Sequence, residues 1–257
     1  MKITVEQAQR VLEIVDHGLV CGVGAPEPGK MCVEAAVCFA LGLPHGDDPE
    51  CVSNPDRWFK ITLNDSQWSS PAARAAGLRR VAVLQLGTRG ADRGPWVEQL
   101  VELTIRRVVP AGLEAMAAID EDHAAALRAA ARRCETEGSE AALGAAAYEV
   151  DHASGNWADF EPVDFYRGLA DVCRTISAVE AQRVKAVTLG FDVAGTVEQT
   201  HIDLCVDLAS LPALVGALSR GSERDGILRL AARCAEEAYE RTGSPGLDLL
   251  HQIEGAA

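Results

Sequence analysis

The chain has 257 residues, 48% of them apolar and 24% charged, with a formal charge of −14 at neutral pH. That length can bury a sizeable core in one large domain or two small ones. The acidic balance argues against a nucleic-acid partner, because phosphate binding needs a basic surface to release counterions.

No eighteen apolar residues follow one another, so no membrane-spanning helix is expected. The first ten residues carry charge every few positions and lack an apolar signal core, which predicts a cytoplasmic protein. Most of the eight cysteines sit inside apolar helical patterns and are expected to be buried free thiols, since nothing suggests secretion and a chain this long needs no staples.

Helix dominates the pattern. Thr4 suits the N-cap of a helix from Val5 to Val15, where Val5, Ala8, Val11, Leu12 and Val15 recur at helical spacing. A Gly/Pro loop from Gly18 to Lys30 ends it. Met31 to Leu41 then reads as a short helix, apolar all round and so deeply buried, stopped by Gly42 with Pro44 beyond. Pro44 to Pro55 is a loop, and Asp56 to Leu63 is short and ambiguous. Ser70-Pro71 opens a helix that breaks at Gly87, and Pro95 starts another that reaches Val109. Ala-rich helices continue to Val150.

Asn156 to Pro162 is the expected boundary between an N-terminal region, 1–155, and a C-terminal helical region, 156–257. Val163 to Val187 reads as one long helix. Thr188 to Ala209 admits a short hairpin around Ala194-Gly195, with strand formers placed near 188–205. Helices resume at Leu211 to Ser219 and Asp225 to Arg241, and Ser244-Pro245-Gly246 caps a last one. The expected fold is all-α, or nearly so.

Half of the cysteines and just over half of the prolines fall between Gly18 and Pro71, so any site is expected to draw on that block. Gly24-Ala-Pro-Glu-Pro-Gly29-Lys30 matches part of a phosphate loop and precedes a helix. Met31 stands where a magnesium-binding hydroxyl belongs, two prolines remove N–H donors, and Glu27 repels phosphate. A rigid structural loop is the expectation.

Cys32 opens a helix beside Lys30, where dipole and ammonium both favour thiolate. This placement resembles that of the nucleophile in papain-like cysteine enzymes over a few residues, although their distinctive motif is missing. His45 follows the far end of a helix roughly 15 Å long, so a base for Cys32 has to come from elsewhere, and His201 with Asp203 is the candidate. Cys38, His45 and Cys51 form a possible zinc set, completed by Asp47 or Asp48, without the short spacing of a zinc knuckle. Acid-to-histidine pairs three residues apart, Asp120/His123, Glu149/His152, Glu198/His201 and Asp248/His251, have the spacing used in di-iron bundles. The same spacing also stabilises an ordinary helix surface.

Arg74, Arg79, Arg80 and Arg89 are expected on the solvated face of one helix, and Trp58, Trp68 and Trp96 as packing anchors. The segments from Met31 to Val52, Lys60 to Asp65, Trp68 to Ser70 and Gly77 to Gly87 resemble a run in uncharacterised bacterial proteins, and that resemblance implies no activity. The leading functional expectation is an intracellular helical interaction or scaffold protein that binds a protein partner or itself. The alternative is an enzyme or a zinc- or iron-binding protein with its site in residues 21–48.

Overall fold

The computed structural model describes residues 2–154, 164, 167–169, 171–176, 194–218 and 222–256. Among these the fold is all-α, with ten named helices and a single isolated bridge between Gly24 and Met31. Contacts divide the chain into two compact units, one of Met1–Gln99 with Ala232–Ala257 and one of Leu100–Ala231. The boundary expected at Asn156 to Pro162 lies outside the described residues.

In the first unit α1 is Val5–Val15. Thr4 closes a capping box with Gln7, and Ala8, Val11, Leu12 and Val15 turn inward at helical spacing. Helix α2, Val33–Leu41, begins at Cys32 and ends at Gly42, whose φ of 72° is the left-handed cap that only glycine adopts cheaply. It is apolar all round except for Glu34, and it is buried accordingly.

Helix α3, Asn54–Asp65, is longer than the ambiguous stretch in the sequence. Ser53 caps it and Pro55 fills its first turn, so local chemistry starts a helix that the irregular apolar pattern does not announce. Helix α4, Pro71–Leu84, is capped by Ser70 and packs against α1, α2 and α3. The last helix of the chain, α10 at Pro245–Gly255, packs against α1 and α4. At Gly246 a Cβ would lie 2.1 Å from the Val83 carbonyl oxygen, so the two backbones meet with no room for a side chain.

Helix α5, Gly94–Ala117, continues through Pro110 rather than stopping at Val109. A proline removes one internal hydrogen bond and strains one turn. Here burial of Val108, Val109, Leu113 and Met116 on both sides of it outweighs that cost. The cut between the units falls within α5 and again within α9, Ser222–Thr242.

In the second unit α6, Ala124–Glu137, and α7, Glu140–Ser154, form a hairpin turned at Gly138. Arg106 of α5 holds the end of α6, donating to the carbonyls of Glu135 at 2.7 Å, Thr136 at 2.8 Å and Glu137 at 2.9 Å. Those carbonyls have no partner within the helix, and a cation suits the negative end of its dipole. Of the long helix expected at Val163 to Val187, residues 164, 167–169 and 171–176 are described, and they are helical.

Helix α8 is Ala194–Leu218, so residues 194–205 are helical where strand-forming residues admit a hairpin. Thr200, Leu204, Leu208, Leu211 and Val215 are buried at helical spacing, and that packing overrides β propensity. Residues 188–193 lie outside the described residues. Val197–Leu218 is long and apolar enough by composition to cross a membrane, contrary to the sequence expectation. Asp203 and Asp207 lie within it, and Asp207 accepts from Thr175 Oγ1 at 2.6 Å, as in a protein-packed helix.

Candidate functional site

The Gly/Pro loop closes on itself. Ala25 N–H donates to the Lys30 carbonyl at 2.8 Å, Lys30 N–H to Glu27 at 2.9 Å, and Cys32 N–H to Val23 at 3.3 Å. Gly24, with φ 71°, allows this, because a Cβ there would sit 2.0 Å from the Lys30 oxygen. Lys30 Nζ pairs with Glu27 at 2.9 Å. The amides of Ala25, Lys30 and Cys32 therefore face loop carbonyls rather than a phosphate, as in a structural loop.

Asn64, fully buried at the end of α3, joins this loop to α2. Its Oδ1 accepts from Val33 N–H at 3.3 Å, and its Nδ2 donates to the Val20 carbonyl at 2.9 Å and to Asp65 Oδ1 at 2.8 Å. Arg74 fixes the same corner, donating to the carbonyls of Asn64 at 2.7 Å and Leu19 at 2.9 Å. Arg74 is therefore buried rather than solvated. Arg79 pairs with Asp16, and Arg80 with Glu236, Glu240 and Glu254. Arg89, beyond α4, donates to the Val52 carbonyl at 3.1 Å.

Between loop, α2 and α3 lies a cleft of about 260 Å³. Val23, Val33 and Ile61 supply apolar wall, and Cys32, Asp47, Asn64 and Asp65 supply polar groups. Asp65 Oδ1 accepts from Gly22 N–H at 2.8 Å as well as from Asn64, so both contacts fall on one oxygen. Asp47 pairs with Arg57 at 3.5 Å, and the Arg57 guanidinium lies 5.1 Å over the Trp58 ring. Trp58 is 37% exposed and one helical turn from Ile61. Trp68 and Trp96 are the buried anchors expected of them, whereas Trp58 is not.

Beneath α3 the core of the first unit holds two charge clusters. Asp56 accepts from Arg93 Nε at 2.7 Å and Nη2 at 2.8 Å, and also from Ser53 Oγ and Tyr239 Oη. Trp96 packs on the other side of Arg93 and Tyr239, with Phe59 edge-on. In the second cluster Lys60 Nζ and Glu34 Oε1, both fully buried, approach to 2.7 Å. Gln85 Nε2 donates to the other Glu34 oxygen at 3.2 Å. Burial pushes the Glu34 carboxyl up to about 7 despite the lysine.

The thiols are held neutral. Burial pushes Cys32 up to about 11, and its sulfur is spent as the N-cap acceptor of Ala35 N–H at 3.4 Å. Cys32 lies in the first unit, and His201 and Asp203 on α8 of the second. Burial likewise raises Cys38, to about 12, and Cys51. His45 is exposed, with Nε2 at 3.1 Å from the Gly24 carbonyl, and Asp47 is engaged with Arg57. Cys38, His45, Cys51 and Asp47 thus do not form one zinc cluster, because the two thiols face the core and the other two groups face outward. Among the described residues no three His, Cys, Asp or Glu side chains gather for a metal. Of the acid-to-histidine pairs, Asp120 and His123 meet at 2.8 Å where α6 begins, and this is a local helix-start contact.

No protein family matches this chain, and no curated protein or solved structure does either.

The sequence reading missed Asp56, Arg93, Tyr239, Lys60 and Asn64. Only Glu34 announces itself, as the one charged residue of the otherwise apolar Val33–Leu41. The others became partners through packing of distant segments.

Proposed function

We propose that the chain is a helical interaction protein whose first unit receives a segment of another protein on the cleft and the adjoining face of α3. The observation that carries this reading is Trp58, exposed on α3 with an arginine over its ring and Ile61 of the cleft wall beside it. Tryptophan and arginine are enriched among the side chains that anchor protein interfaces, and an indole buries much area with few rotatable bonds to fix. The neutral, buried thiols favour this reading over nucleophilic chemistry at Cys32.

The test is selection of a random displayed peptide library on the native protein. Peptides whose binding is lost in Trp58→Ala and kept in Tyr148→Ala, an exposed aromatic of α7, are the expected result. No enrichment, or binders indifferent to Trp58, would overturn the reading.

A further inference from the structure

The geometry points to a cationic side chain flanked by apolar residues, an arginine or lysine of a partner protein, as the group that the cleft recognises. This rests on the interaction reading above and names its chemistry. Asp65 stands at an apolar-walled cleft with the Gly22 and Asn64 donors both on Oδ1 and the Cys21 thiol beside its carboxylate, and among the described residues it forms no ion pair. Those two donors fix the carboxylate before any ligand arrives, so little side-chain entropy remains to be lost on binding.

Arg57 is paired with Asp47 at 3.5 Å and Asp48 at 3.6 Å, and Asp48 also faces Arg89 at 3.9 Å. Lys30 is paired with Glu27. Lys30 and Arg57 thus have carboxylate partners, Arg74 at the same corner is spent on the carbonyls of Asn64, Leu19 and Ser66, and Asp65 keeps no ion-pair partner among the described residues. The net charge of −14 adds long-range attraction for a basic segment. A volume of about 260 Å³ falls below the pockets of drug-sized ligands, which begin near about 300 Å³, and suits one long side chain. The methylenes of that side chain would lie along Val23 and Ile61, with its head at Asp65 Oδ2.

The experiment uses the native protein and two synthetic peptides that match an enriched sequence, or a generic Leu-Arg-Leu core if none is enriched. One carries arginine and the other citrulline, which keeps the shape and removes the charge. Binding is read from amide shifts of Gly22, Val23, Ile61 and Asp65. The expected result is saturable shifts with arginine, about tenfold weaker binding with citrulline, and a similar loss in Asp65→Asn, which still accepts from Gly22 N–H. Equal binding of both peptides through Trp58 would overturn the cation assignment and leave the interaction reading standing. Absence of any shift, together with no enriched peptide, would overturn both.

Discussion

Tyr239 Oη donates a hydrogen bond to Asp56 Oδ1, joining residues 183 positions apart in the chain. Asp56 also receives both arms of Arg93 and the hydroxyl of Ser53, so one buried carboxylate ties the start of α3 to α9 and to the segment before α5. These donors satisfy the buried carboxylate, and its loss strands a buried guanidinium.

Asp56→Ala is therefore expected to cost about 3–5 kcal/mol, the loss seen when one partner of a buried pair is removed. Tyr239→Phe removes one donor and leaves the ion pair, so about 1–2 kcal/mol is expected. Urea denaturation followed by circular dichroism measures both. Equal losses would show that the hydroxyl, rather than the charge pair, holds the site.

Glu34 gives the stability a pH dependence of definite sign. Its carboxyl rises from an ordinary 4.5 to about 7 on folding, because desolvation outweighs the nearby Lys60 and Arg57 cations. The folded state thus binds the extra proton, and the group's contribution is fullest below about pH 4.5 and declines as pH rises through 7. Thermal melts from pH 5 to 8 should show this decline in the wild type relative to Glu34→Gln, which has no proton to lose. Parallel curves would remove Glu34 as the cause.

Two glycines separate packing from propensity. Gly246→Ala sets a methyl against the Val83 carbonyl at 2.1 Å and is expected to cost about 1–3 kcal/mol, as overpacking does. Gly144, inside α7, has nothing within 4 Å of a built Cβ. Gly144→Ala should stabilise by about 0.5–1 kcal/mol, the helical advantage of alanine. Chemical denaturation of the two variants should move in opposite directions.

Cysteine labelling separates the exposed thiol from the buried ones. Cys21 is the exposed thiol, and burial together with the Asp65 charge raises its pKa. In the native protein one fast-accessible cysteine is expected, reacting more slowly than a free thiol at neutral pH and absent in Cys21→Ser. Cys32, Cys38, Cys51, Cys134, Cys205 and Cys234 should label only on unfolding. Rapid modification of Cys32 in the folded state would restore the nucleophile reading.

The sequence by itself determined the helices whose signals are local. Thr4, Ser70 and Ser244 cap α1, α4 and α10 as their side chains predict, and Gly42 ends α2. Capping and apolar spacing act within a few residues, so they can be read from neighbours alone. The tertiary structure decided the rest. It carried α5 past Pro110, made α8 helical through residues with strand propensity, and buried Arg74 at the carbonyl end of α3. It also placed Lys60 on Glu34 and Tyr239 on Asp56, and set Asp65 beside the Gly/Pro loop. The free energy of each such contact depends on desolvation and on partners remote in the chain, and neither is encoded in local pattern.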